Sequence, residues 1–158
     1  MNLKMSDLKR CLELGGFTNV RTILSSGNAA FDSSAKSPAA VERGIEAAMT
    51  KHLQRAVYTI VRSRDALQEI IDADPFAPFE LPPEAKRVVT FARKLPRITQ
   101  RLPVERDGAM VLAAGEREAF SAYVPGPQGP VFMELIKSTF GMDVTTRTWD
   151  TVKKCARA

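Results

Sequence analysis

Imidazole, thiol and paired-carboxylate chemistry each need particular residues at particular spacings, and this chain supplies few of them. His52 is the sole histidine among 158 residues, so a Ser/His/Asp triad or a histidine-based metal site would have to run through it alone. It stands beside Leu53 at the end of a run with helical spacing, where a cation complements the helix dipole. No G-x-S-x-G elbow presents a nucleophile, and neither G-x-x-x-x-G-K-S/T nor G-x-G-x-x-G opens a phosphate-binding helix. Cys11 and Cys155 sit near opposite ends without metal-ligand spacing and read as buried, reduced thiols. The carboxylate pairs Glu42/Glu46 and Asp72/Asp74 read as surface charge, the first on a solvated helix face and the second at a helix end. No catalytic residue, metal site or cofactor is assigned, and an enzyme is the less favoured class.

What the chain does offer is groups for an anion. Ser25-Ser26-Gly27-Asn28 is a tight-turn sequence in which Ser26, Gly27 and Asn28 could present hydroxyl, backbone N–H and amide donors, although turn formation alone accounts for them. In Thr145-Thr146-Arg147-Thr148-Trp149-Asp150-Thr151, Thr148 with Asp150 and Thr151 makes a capped helix start, Trp149 a core plug, and Arg147 is the member with donors to spare. The largest signal is electrostatic. The chain carries a net +5, yet seven cations stand against one acid between Lys86 and Arg106, so the remainder is slightly acidic. Lys86, Arg87, Arg93, Lys94, Arg97 and Arg101 are the candidates for an anionic partner, and a solvated edge that resists aggregation is an equal reading of them. One aromatic, Phe91, lies among them, a thin supply for stacking bases.

These groups must be positioned by two sets of elements. Leu8, Cys11 and Leu12 after Ser6 predict a short helix closed by Gly15-Gly16, with Ser6 as its N-cap. Val20–Leu24 and Ala29–Phe31 predict a hairpin about the Ser-Ser-Gly-Asn turn. Ser37-Pro38 opens a helix whose apolar face is Val41, Ile45, Ala48, Met49 and Leu53, and Ala56–Val61 reads as a strand covered on both faces. Helix, strand, strand, helix, strand is a βαββαβ order without its opening strand. That strand normally lies inside the sheet, so two neighbours would lack a partner, and the open edge could take a second copy of the chain.

Ser63 caps a further helix that Asp74-Pro75 ends, and Pro75, Pro78, Pro82 and Pro83 mark a boundary between subdomains 1–74 and 75–158. Beyond it, Val88–Ala92 predicts a strand, Ile98–Leu102 a short helix, and Ala109–Ala113 with Ala119–Val124 a strand pair joined through Gly115-Glu116. Pro125–Pro130 is a loop, Phe132, Leu135, Ile136 and Phe140 lie at helical spacing, and a last helix starts near Trp149. No apolar run approaches the ~20 residues of a membrane span, so a soluble, cytoplasmic protein without a membrane partner is expected.

Met5-Ser6-Asp7-Leu8, Gly16-Phe17-Thr18-Asn19-Val20-Arg21-Thr22, Ser26-Gly27-Asn28 with Phe31, Asp74-Pro75-Phe76, and Thr145-Thr146-Arg147 followed by Trp149 and Thr151 together resemble the bacterial family known as domain of unknown function 1697. The resemblance runs nearly end to end. It implies an α+β fold with a ferredoxin-like first subdomain and a second small α/β subdomain, and it implies no activity. Members usually open with an apolar strand and an Arg-Gly-Ile-Asn type loop, which nothing here matches. The expectation is a noncatalytic binding module for an anionic partner, nucleic acid among them. Two alternatives stay open: an enzyme or binder for a small phosphorylated or carboxylated metabolite held by Ser26, Asn28 and Arg147, and a self-association module.

Overall fold

The structure is a computed structural model that describes residues 3–24, 27–126 and 130–158. The chain divides into two compact units, residues 1–68 with 153–158 and residues 69–152. Among the described residues, five helices and two antiparallel sheets make it mixed α/β.

In the first unit, α1 (Met5–Leu14) buries Leu8, Cys11 and Leu12, as the spacing predicts. Its start lies two residues earlier than Ser6 implies: Lys4 occupies the N-cap without a side-chain bond, and Ser6 falls inside the first turn. Helix α2 (Pro38–Leu53) begins as expected, with the Ser37 hydroxyl accepting from Ala40 N at 3.1 Å and proline in the first turn. The two helices meet where α1 ends. A Cβ on Gly15 would stand 2.8 Å from Ala48 Cβ, so the absent side chain is what permits the approach.

The hairpin is β1 (Thr18–Ile23) with β2 (Asn28–Asp32), Ile23 facing Asn28 and Arg21 facing Ala30. Phe17 and Phe31 close edge-to-face at 4.9 Å over α2, beside Val20, Val41, Ile45 and Met49 in one core. The ferredoxin-like arrangement is not seen. β1 and β2 form a sheet of two strands, and Ala56–Val61, read as a further strand, joins no ladder. A strand exists through its neighbour's hydrogen bonds, and no strand among the described residues pairs with this segment. A helix side chain takes over part of that work. Glu42, read as a solvated surface acid, is buried, and its Oε2 accepts from Val61 N at 3.1 Å. Helix α3 (Arg64–Ala73) follows with the Ser63 hydroxyl accepting from Ala66 N at 3.1 Å, as read from the sequence.

The second unit is built on one antiparallel sheet. Its strands are β3 (Lys86–Ala92), β4 (Val104–Arg106), β5 (Ala109–Ala114), β6 (Glu118–Tyr123) and β7 (Val144–Thr148), in the order β4-β5-β6-β3-β7. β3 is an interior strand, and both faces of Val88-Val89-Thr90-Phe91-Ala92 are buried, as a continuous apolar run requires. It pairs with β6, Val88 facing Ser121 and Thr90 facing Ala119, and with β7, Val89 facing Arg147. Alternation along the strands sets the two faces. One carries Val88, Ala92, Val111 and Ala119 under Phe132, Leu135, Ile136 and Phe140 of α4 (Val131–Phe140). Thr90 and Ser121 lie on that face too, both with no exposed surface, and neither hydroxyl has a hydrogen-bond partner among the described residues. Phe120 belongs to the opposite face, where Phe76 meets it at 5.9 Å and Trp149 at 5.1 Å, both edge-to-face. Trp149 opens α5 (Trp149–Arg157) as the buried plug expected, and Thr148 Oγ1 accepts from Thr151 N at 3.3 Å.

Candidate functional site

The cationic residues contiguous in sequence are divided by the sheet. Lys86 and Arg87 open β3, whereas Arg93 and Lys94 follow its last residue; seven residues of strand place these pairs about 20 Å apart. Arg87 lies over the Phe76 ring, 6.0 Å from its centroid, so its guanidinium is part of the aromatic cluster. Arg106 sits at the Lys86 end of the sheet, since Arg106 faces Ala109, Ala109 faces Tyr123 and Tyr123 faces Lys86.

Arg93, Lys94, Arg97 and Arg101 share one loop, residues 93–103, which carries no helix although Ile98–Leu102 was expected to form one. The apolar residues behind that expectation serve tertiary packing instead: Leu95 is 5% exposed within the α4-face core, and Ile98 and Leu102 pack against it. Pro103 closes the segment and has no N–H with which to continue a helix past Leu102. The loop is docked at its start, Leu95 N donating to Glu116 O at 2.7 Å and Ala92 N to Arg117 O at 3.0 Å. With Leu95, Ile98 and Leu102 turned inward, Lys94, Arg97 and Arg101 are exposed, and none of the three side chains is engaged with another described residue. Arg93 is half-buried and has interactions of its own. No acid occurs from Arg93 to Val104; the nearest in sequence is Glu105, and Glu116 lies in the turn on which the loop docks. Sequence reasoning found these cations but not that inward and outward residues alternate around three anchors.

The other candidates stand apart from this loop. Ser26 lies outside the described residues. Gly27 takes φ 85, and Asn28 opens β2 with its Nδ2 donating to Ile23 O at 3.2 Å, so the amide closes the hairpin. Arg147 is half-buried on β7, a polar strand the sequence reading missed. Its Nη1 donates to Thr145 Oγ1 at 2.6 Å and to Thr146 O at 2.7 Å, which commits that nitrogen to its own strand. Arg147 also lines a cavity of about 390 Å³ with Val88, Tyr123, Phe132, Thr146 and Thr148, all of the second unit. Tyr123 and Phe132 stack on one another there at 4.6 Å.

Among the described residues no group of three or more His, Cys, Asp or Glu could hold a metal ion, and no helix is long and apolar enough to cross a membrane. Cys11 is buried in the first unit, and burial pushes its thiol pKa above the ordinary value.

The family model described as protein of unknown function DUF1697 matches residues 1–120. No curated protein matches the chain. A conserved bacterial protein of Streptococcus pneumoniae shares the fold: 99% of this chain and 88% of that one superpose with a TM-score of 0.69 at 15% sequence identity. At that identity the likeness is one of fold.

Proposed function

The chain belongs to the DUF1697 family, and since that membership carries no activity with it, we propose that the protein is a noncatalytic, cytoplasmic binding module whose second unit meets nucleic acid through Lys94, Arg97 and Arg101. One observation carries the reading: three exposed cations, unengaged among the described residues, ride on a loop whose Leu95 is buried in the core and whose Ile98 and Leu102 pack against it. Such a loop holds its charges outward at little further cost in order, and three neutralised phosphates release their condensed counterions. Affinity for duplex DNA, followed by fluorescence anisotropy, should then fall about 40-fold between about 50 and about 200 mM salt. Replacing all three cations by alanine should remove the salt dependence and most of the affinity. Absence of binding at about 50 mM salt refutes the proposal, as does capture by anionic vesicles in preference to DNA.

A second reading rests on the cavity beside Arg147. Its volume of about 390 Å³ is at the small end of ligand pockets, and Thr146, Arg147 and Thr148 among its lining residues make a polar side suited to a small carboxylated or phosphorylated compound. Thermal denaturation with inorganic phosphate and with benzoate tests it: a saturable rise in midpoint supports the reading, and no shift with either removes it.

A further inference from the structure

Resting on the nucleic-acid reading above, we infer that the 93–103 loop binds the phosphate backbone of duplexes and is blind to base sequence. Reading bases requires either an element that enters a groove or exposed rings on which unpaired bases stack. The loop offers neither. It forms no helix and no paired ribbon, the two elements that fit the major groove. Nor is there an aromatic platform, because none of the described aromatic residues of the second unit is exposed. Phe91, the ring nearest in sequence, is 6% exposed in the central strand; Tyr123 and Phe132 stack on each other, and Phe76, Phe120 and Trp149 form a closed cluster.

Three point charges remain, and what they can sense is charge density. A duplex carries one phosphate per about 1.7 Å of axis, and its counterion release per contact exceeds that of a single strand, about 0.9 against 0.7 in the logarithmic slope. Without stacking to compensate, the duplex is the favoured form. The exposed Lys94, Arg97 and Arg101 contact phosphates that are the same in every sequence.

The test uses the full chain and labelled DNA of equal length: an A·T-rich, a G·C-rich and a mixed duplex, with the single strand of each. The expected result is one dissociation constant for all three duplexes within about threefold, weaker single strands, and a slope of log affinity on log salt near −2.7 that shrinks to about −1.8 in Lys94→Ala. A base-reading protein would separate the duplexes by fivefold or more, since one wrong base pair costs roughly 1–3 kcal/mol. Such a separation, or single strands bound as tightly as duplexes, overturns the inference and leaves the proposed function standing. Failure to bind any of the six probes at low salt refutes both. The Trp149 fluorescence on urea unfolding, unchanged in Lys94→Ala, establishes that the variant retains its fold.

Discussion

Two hydroxyls in the centre of the second sheet should cost stability, and removing them should raise it. Thr90 and Ser121 are fully buried, on neighbouring strands and on the face covered by α4, and among the described residues neither oxygen has a hydrogen-bond partner. A hydroxyl taken out of water with nothing in exchange costs about 1–3 kcal/mol. Thr90→Val exchanges the hydroxyl for a methyl of nearly the same size, so the surrounding Ala119 and Thr146 keep their contacts while the desolvation cost disappears. The gain should be about 1–2 kcal/mol, which at a urea slope of about 1–3 kcal/mol per molar moves the midpoint upward by roughly 1 M. Trp149 is the sole tryptophan and packs on Phe76 in this unit, so its fluorescence reports the right transition. Ser121→Ala should act in the same direction by a smaller amount, because alanine leaves a little unfilled space. A Thr90→Val midpoint below that of the wild type would refute the reasoning: it would mean that the hydroxyl is satisfied in solution and that its bond outweighs the burial.

Gly15→Ala should lower the stability of the first unit by about 1–3 kcal/mol, read by circular dichroism at helical wavelengths, because the new methyl would stand 2.8 Å from a buried Ala48 that cannot swing aside. Glu42→Ala should cost about 1.5–3 kcal/mol and speed hydrogen exchange at the Val61 amide, whose partner it removes. Cys11 has a raised folded-state pKa through burial, so its contribution to stability is intact below the unfolded value of 9.0 and is lost as pH rises through the folded one. The ionisation of this thiol should therefore leave urea midpoints unchanged at neutral pH and lower them above about pH 9, a fall that Cys11→Ala diminishes; in the native protein Cys155, which is only half-buried, should alkylate before Cys11.

Elements whose signals are local were legible in the sequence. The Ser37 and Ser63 caps, the Gly15 stop, the hairpin about Gly27-Asn28 and the apolar faces of α1, α2 and α4 each depend on residues within a turn or two of one another. Elements defined by distant partners were not. β7 is a Val-Thr-Thr-Arg-Thr strand that reads as a polar approach to a helix, and its pairing with β3 makes it a strand. β4 is three residues long and rests on β5 alone. Ala56–Val61 failed in the opposite sense, having strand composition while no strand among the described residues pairs with it. The candidate surface was half legible: composition located the charge, but Ile98 and Leu102 at i, i+4 mimic a helix face, and only the core that receives them turns that spacing into an anchored loop. Likewise, adjacency along the chain said nothing of the strand that separates Lys86 and Arg87 from the cations beyond Ala92.

Because Leu95, Ile98 and Leu102 hold the 93–103 segment while Lys94, Arg97 and Arg101 are exposed and make no hydrogen bond or ion pair with the described residues, attachment and electrical character belong to different residues. The rim can be rewritten from basic to neutral or acidic without disturbing the fold beneath it, so the attraction that this scaffold exerts on its surroundings is free to diverge from one sequence to another while the architecture stays put.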